Sequence, residues 1–302
     1  LKNALLQKPR RPKQKLLPKL KKKPLQLFKL LSEFNTNRQS ASLWPVLKSG
    51  PQSAFFLYPN EIQVWYAKPE DFNNEVIQQK FRSWLSEAEI ASLKALRFEH
   101  HRLTYLVAHA LLRAALSSYT DVKPAAWQFQ TNPFNKPFIA PPLNTLGLHF
   151  NLSHTEGMVA LALTRIGPLG VDVESISREQ NVSEIAQDIL TANECLDLNQ
   201  QAQSDQHAQL LKYWTLKEAF VKATGLGLTS GLQTFEFDLE AQPQPIIRFL
   251  SPKDTLAKNW QFKQCILSSG HILALAHHHP GALHTKVSLN EALWLQETTN
   301  LG

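Results

Sequence analysis

LHFNLSHTEGMVALALTRIGPLGVDVE, residues 148–174, holds three short runs of strand character. They are LHFNL at 148–152, MVALALT at 158–164 and GVDVE at 170–174, separated by turn-rich segments. Apolar and β-branched runs broken by Gly and Pro predict short strands in an antiparallel meander. Outward toward the N-terminus, EIQVWYA at 61–67 has the composition of a further strand, and the ordered domain is predicted to begin near residue 55. Ser86 with Glu89 forms a capping-box pattern, so a helix is expected over about 87–96. A second helix is expected within RFEHHRLTYLVAHALLRAALSSY, where Leu103, Val107, Ala110, Leu111 and Ala114 recur at helical spacing. Toward the C-terminus a third helix, about 207–224, ends at Gly225, which can take the left-handed cap. TFEFDLE, PIIRFLS, WQFKQCIL and HILALAH read as four more strands, and the chain after about residue 283 as a peripheral extension. No internal repeat is visible in the letters. Helices and strands come in mixed clusters without βαβ alternation, which makes the fold class α+β.

The composition of the 302 residues, 43% hydrophobic and 19% charged, is that of a soluble globular chain. No apolar run reaches the roughly 18–20 residues of a membrane-spanning helix, and the N-terminus lacks the apolar core of a secretory signal. A cytoplasmic location is expected. Cys195 and Cys265 are too few for a disulfide framework or a thiolate metal cage. The net charge of +7 is unevenly spread: residues 1–40 hold 12 Lys and Arg against Glu33 alone, and the other 262 residues carry 20 basic and 24 acidic side chains. The basic stretch alternates Lys with Pro and Leu, so residues 1–54 are expected to be a disordered leader.

Chemistry is expected at four places. Asp172 and Glu174, two apart on a strand, project from one face, and two adjacent carboxylates suit a hard cation such as Mg²⁺. On the third helix Leu211, Thr215, Glu218 and Lys222 share a face that carries one carboxylate and one ammonium, whereas Trp214, Leu216, Phe220 and Val221 read as core packing. Arg102, His109 and Arg113 form a basic stripe suited to a phosphate, or else an ordinary solvated face. Ser153 and His154, at a strand-to-turn junction, are suited to donating hydrogen bonds to an anion. No G-x-S-x-G elbow surrounds Ser153 and no P-loop is present, which excludes those two chemistries. His277, His278 and His279, with His271 and His284 nearby, do not read as a metal cluster, because neighbours on a strand face opposite ways.

NKP at 135–137, FNLSH at 150–154, GVDVE at 170–174 and WTLKEAFVKATGLGL at 214–228 together resemble the motif series of the 4′-phosphopantetheinyl transferase superfamily, in its larger, two-subdomain surfactin-synthesis type. With the helix at 97–113 the resemblance spans roughly residues 60–280. It implies two similar subdomains related by a pseudo-twofold, each a small, mostly antiparallel sheet packed with helices: 55–169, and 170–283 with the metal site, followed by an extension over 284–302. The implied reaction moves the phosphopantetheine arm of coenzyme A onto a serine of an apo acyl or peptidyl carrier protein and releases adenosine 3′,5′-bisphosphate. The implied metal is Mg²⁺, with Mn²⁺ as a substitute, held by Asp172, Glu174 and Glu218. Lys222 would neutralise the diphosphate, with Lys217 in support. Ser153 and His154 match contacts to the adenosine and its 3′-phosphate, Lys136 the lysine beside the adenine, and Glu194 the position of a general base. Arg102, Arg113 or His109 is the expected 3′-phosphate contact, because Thr104 stands where many members have an arginine. Asn135 stands where the family usually has Gly before Lys-Pro. The carriers implied are those of fatty-acid, polyketide, polyunsaturated-fatty-acid or nonribosomal peptide synthases, with a monomeric enzyme and neither nucleic acid nor membrane as partner. A Mg²⁺-dependent phosphodiesterase or nuclease, and a nucleic-acid or membrane-binding module driven by the basic leader, are the competing readings.

Overall fold

Eleven strands and six α-helices come in clusters in the described part of the chain, which in this computed structural model comprises residues 57–178, 181–225, 227, 231–241, 243–250, 259–278 and 285–300. The leader expected over 1–54, and His279 and His284, lie outside these residues. The first half runs β1 (Glu61–Ala67), helices α1 (Glu75–Trp84), α2 (Glu87–Ala95) and α3 (Glu99–Ser118), the short pair β2 (Phe129–Thr131) and β3 (Pro137–Ile139), then β4 (His149–Thr155) and β5 (Met158–Thr164). The second half repeats that order: β6 (Leu169–Ser175), α4 (Val182–Ile189), α5 (Ala192–Gln200), α6 (Gln206–Thr224), the pair β7 (Phe235–Asp238) and β8 (Ile246–Phe249), then β9 (Trp260–Ile266) and β10 (His271–His278). The sheets repeat it too, with order β1-β5-β4 in one and β6-β10-β9 in the other, all antiparallel. The repeat is one of topology and escapes inspection of the letters, because the halves share element order and not residues.

Local chemistry sets the helix ends. Ser86 accepts from the Glu89 amide while Glu89 reaches back to the Ser86 amide at 2.7 Å, the reciprocal cap expected from sequence. Thr191 and Glu194 close a second such box at the start of α5. Gly225, at φ 66°, ends α6 in the left-handed region where a side chain would be strained.

Alternation along each strand then builds the layers. On β1 and β5, Trp65, Val159, Leu161 and Leu163 face the buried side of α3, with Leu106, Val107, Ala110, Leu111 and Ala114 on the helix. Their neighbours Ile62, Val64, Met158, Ala160 and Ala162 face the other way, onto Leu169, Val171 and Val173 of β6 and Leu273 and Leu275 of β10. The opposite side of that second sheet, with Ala274, Ala276 and Phe262, carries α6 through Leu216, Ala219, Phe220 and Ala223. The order is helix, sheet, sheet, helix. Each fully buried Leu or Val contributes about 1.5–3 kcal/mol, so the sheet-to-sheet core is a principal adhesive between the halves. Gly170 allows α6 to lie directly on β6: a Cβ there would stand 2.1 Å from the Ala219 carbonyl oxygen and 2.5 Å from the Ala223 nitrogen.

One expectation changes. The chain after 283 is no mere peripheral extension, because β11 (Lys286–Glu291) pairs in parallel with β1 and buries Val287 and Leu289 in the sheet-to-sheet core. KVSLNE is short and two-thirds polar, and its pairing partner lies more than 200 residues away, so local pattern alone did not mark it.

Candidate active site at the seam of the two sheets

β4 and β6 are edge strands of different sheets and run side by side without a backbone ladder between them. Side chains make the seam instead. Asn151 accepts from the Val171 amide at 2.8 Å, Ser153 donates to Asp172 Oδ1 at 2.9 Å, and Thr155 donates to Glu174 Oε2 at 3.0 Å. The odd-numbered residues of β4 thus meet β6 one after another, and the even-numbered Phe150, Leu152 and His154 turn toward the α3 side.

α6 completes the group. Lys222 Nζ lies 2.6 Å from Asp172 Oδ1 and 2.9 Å from Ser153 Oγ, and the Trp214 indole donates to Glu174 Oε1 at 3.2 Å. The Asp172 carboxylate is 5% exposed and the Lys222 side chain 29%, so the acid is sunk in the seam and the ammonium reaches the cleft. Burial raises the Asp172 pKa, with Glu174 adding to that and Lys222 and Ser153 opposing it. Glu218, one helical turn before Lys222, is also raised, first by burial and then by the negative charge of Asp172 and Glu174, against the pull of Lys222. Three carboxylates share one another's field with the Lys222 ammonium, and the exposed Arg178 guanidinium lies 3.9 Å from Glu174.

The donor set fits a hard divalent cation in chemistry. Among the described residues Asp172 Oδ2 is buried without a hydrogen-bond partner, the kind of oxygen a cation satisfies. As the side chains stand, no three His, Cys, Asp or Glu groups among the described residues converge closely enough to hold an ion, and the Lys222 ammonium takes Asp172 Oδ1.

Other expected site residues are placed elsewhere. Lys217 is fully buried, and its ammonium is shared among Glu194 Oε2 at 2.8 Å and the carbonyls of Leu232 and Phe235 at 2.7 Å each. All three of its donors are used, so it does not face the seam. Glu194 is as thoroughly committed: it accepts from the Thr191 amide at 2.9 Å, from Lys217, and through Oε1 from the Phe237 amide at 2.9 Å. Burial lowers the Lys217 pKa and raises that of Glu194, and their attraction opposes both shifts. The pair ties α5, α6 and β7 together. Arg113 is buried on the inner side of α3, donating to the Pro124 and Trp127 carbonyls and to Glu89 at 2.5 Å, so its guanidinium is held inside the protein rather than on a solvated face. Arg102 donates to the carbonyls of Leu96 and Arg97 at 3.0 Å.

Lys136 serves as a clamp. Its ammonium meets the Ala223 carbonyl at 2.8 Å, at the end of α6, and the Leu169 carbonyl at 3.1 Å; burial pulls its pKa down to about 8. Asn135 sits at φ 64°, a backbone that Gly takes freely and Asn tolerates better than most side chains, so this departure from the family pattern keeps the turn. Thr104 is buried and donates to its own helix at His100. Sequence reasoning missed Asn151, Thr155 and Trp214. Strand alternation from Ser153 was the available signal for the first two; Trp214 was assigned to the core because an indole gives no sign in sequence of where its N–H points.

The sequence profile of the 4′-phosphopantetheinyl transferase superfamily (ACPS) matches residues 168–276, from β6 through β10. A 4′-phosphopantetheinyl transferase of Bacillus subtilis, Sfp, is 30% identical over 171 residues, covering 55% of this chain and 71% of that protein. The chain belongs to the 4′-phosphopantetheinyl transferase superfamily. It falls in the larger, Sfp-containing type and is a transferase by class. The 4′-phosphopantetheinyl transferase HetI of Nostoc is 26% identical over 172 residues, 57% of this chain and 72% of its own length. A phosphopantetheinyl transferase of Thraustochytrium is 24% identical over 236 residues, 74% and 81% of the two chains. The profile match contains Asp172, Glu174, Glu218 and Lys222, the side chains of the seam contributed by the second half.

Proposed function

We propose that this protein transfers the 4′-phosphopantetheine group of coenzyme A to a serine of an apo carrier-protein domain, with the seam between β4, β6 and α6 as the reaction centre. One observation carries the reading: Lys222 Nζ, from the helix, bridges Ser153 Oγ and Asp172 Oδ1 from two different sheets. A cation so fixed costs no reorganisation when phosphate charge develops beside it. The serine oxygen forms a bond to the β-phosphorus as the bond from that phosphorus to the bridging oxygen breaks. The electron pair leaves with adenosine 3′,5′-bisphosphate, whose new charge Lys222 offsets. Asp172, Glu174 and Glu218 are the residues that would hold Mg²⁺, which supplies neutralisation of the diphosphate when bound. The serine proton needs an acceptor. Glu194 is boxed in by Lys217 and two amides, whereas the Glu218 carboxylate makes no hydrogen bond among the described residues. Glu218, directly or through water, is the better candidate.

The partners in this reading are carrier domains of fatty-acid, polyketide or peptide synthases, met by a monomeric enzyme in the cytoplasm. No helix among the described residues is long and apolar enough to cross a membrane. The test is intact-mass spectrometry of a panel of apo carriers incubated with the protein, coenzyme A and Mg²⁺, against an EDTA control. A metal-dependent gain of one phosphopantetheine arm supports the reading; phosphate products released from coenzyme A with every carrier unmodified would refute it.

A further inference from the structure

The reaction centre depends on where the last turn of α6 stands, because that turn carries Lys222. A helix end is its loosest part: the final four carbonyls have no partner within the helix, and terminal turns open more readily than the interior. α6 ends against a hairpin from the other half of the molecule. Lys136 donates to the Ala223 carbonyl at 2.8 Å and to the carbonyl of Leu169, the first residue of β6, at 3.1 Å. Asn132 Nδ2 donates to the Gly225 carbonyl at 2.9 Å. The approach is close, since a Cβ at residue 225 would lie 2.9 Å from Lys136 Cδ and 3.1 Å from Asn132 Nδ2. The Lys136 ammonium also meets the negative end of the helix dipole.

The two side chains are themselves held firmly. Asn132 Oδ1 accepts from the amides of Phe134 and Lys136 at 2.9 Å each, and the Asn132 amide donates to the Lys136 carbonyl at 3.0 Å. The residue that reaches α6 thus also closes its own turn. The strands of the hairpin are rooted in the first half. Ile139 is buried in that core, and the Phe129 ring meets Phe150 edge to face at 5.5 Å and the Arg113 guanidinium at 5.2 Å. One ammonium therefore joins the start of β6 to the end of α6, the two elements that bring Asp172 and Lys222 together.

We propose that Asn132 and Lys136 are positioning residues for the transfer: they cap α6 from the opposite half and so hold Lys222 beside Asp172 and Ser153, a role that rests on the transfer reading above. It gives Lys136 to the helix rather than to the coenzyme. Lys222 meets charge that grows as the leaving oxygen departs, so a loosened last turn is felt in kcat and leaves KM for coenzyme A in place. A direct contact to the coenzyme would show the opposite split.

The experiment applies two readouts to the full chain and to Lys136→Met, Asn132→Asp and Lys136→Arg. Asn132→Asp keeps the oxygen that closes the turn and removes the donor to Gly225, and Lys136→Arg keeps a cation with donors for both carbonyls. Hydrogen exchange read by mass spectrometry needs no substrate. Amides of residues 221–225 are expected to exchange about fivefold faster in Asn132→Asp and about tenfold or more in Lys136→Met, with the start of α6 unchanged. Carrier loading at varied coenzyme A is expected to lose about ten- to a hundredfold in kcat in both variants, with KM for coenzyme A within about twofold of the parent, and Lys136→Arg to recover most of the loss. Faster exchange at parent kcat would leave the pair a structural tie only, and a raised KM at parent kcat would put Lys136 on the coenzyme. Either result overturns the proposal, as does unchanged exchange at the end of α6. A parent chain that loads none of the carriers overturns the transfer reading and the positioning role with it, while the exchange data still report whether the helix end is capped.

Discussion

Gly170→Ala tests whether the seam depends on how closely α6 lies against β6. A Cβ at 170 would stand 2.1 Å from the Ala219 carbonyl oxygen, 2.5 Å from the Ala223 nitrogen and 3.0 Å from the Lys222 carbonyl carbon, where ordinary contact begins near 3.4 Å. All three obstacles are backbone, so no side-chain rotation relieves them, and the helix must retreat by about 1.3 Å from the strand. The displaced turn carries Lys222, whose 2.6 Å contact to Asp172 Oδ1 cannot survive such a shift unaltered. Overpacking of this kind costs up to about 3 kcal/mol. For a folded part of this size that lowers the melting temperature by roughly 6–12 °C. Misplacing a catalytic cation by about 1 Å costs on the order of a hundredfold in rate. Thermal unfolding followed by circular dichroism reads the first effect, and the carrier-loading rate at a temperature where the variant is folded reads the second. The sign is diagnostic, because Gly to Ala where space permits stabilises by about 0.4–1 kcal/mol through the unfolded chain. A variant that melts at or above the parent and loads carrier at the parent rate would refute the claim that this contact sets the position of Lys222.

Asp172→Ala, Glu218→Ala and Lys222→Ala are each expected to lower carrier loading by about two to three orders of magnitude in a chain that still folds, as checked by mass spectrometry against time; near-parent rates in all three would dissolve the site. Lys217→Met leaves the Glu194 carboxylate buried and unpaired, so a denaturant midpoint shift equivalent to about 3–5 kcal/mol is expected, partly restored by adding Glu194→Gln. Unchanged stability together with lost transfer would instead put Lys217 on the substrate. Glu89 has its pKa lowered to about 2: burial works against the charge, but hydrogen bonds from His109 and the Ser86 amide and the Arg113 cation outweigh it. A depressed carboxylate gives stability that is fully present above its unfolded value and fades as pH falls toward the folded one. On the order of 3 kcal/mol should therefore be lost between about pH 4.5 and about pH 2, and Glu89→Gln should flatten that limb of the stability curve.

What the letters carried was local. The capping box at Ser86, the helical spacing through Leu103 and Ala114 and the left-handed stop at Gly225 each depend on residues within one or two turns, and each appears in the structure. Pairings that join distant segments were out of reach. KVSLNE becomes a strand because Ile62, Val64 and their neighbours on β1 offer an unpaired edge and an apolar face, a property of the assembled sheet. The mutual position of the two sheets is likewise invisible along the chain, since Asn151, Ser153 and Thr155 meet β6 only after each sheet has closed on its own helix.

The same limit explains which of the expected site residues are tied up inside the protein. Arg113, Lys217 and Lys222 are all long cations on amphipathic helices, and sequence spacing cannot tell which of them keeps its charge for a ligand. Burial decides. Arg113 and Lys217 are nearly inaccessible, so each must spend its donors on carbonyls and a carboxylate to offset desolvation, and each becomes a structural tie. Lys222, 29% exposed, has its Asp172 partner on one side and solvent on the other, so its charge remains available where a diphosphate would lie. The helix anchors itself with one lysine and, in the proposed reaction, presents the next, five residues on, for chemistry at its rim. Substituting the inner lysine should register first in unfolding, and substituting the outer one first in rate.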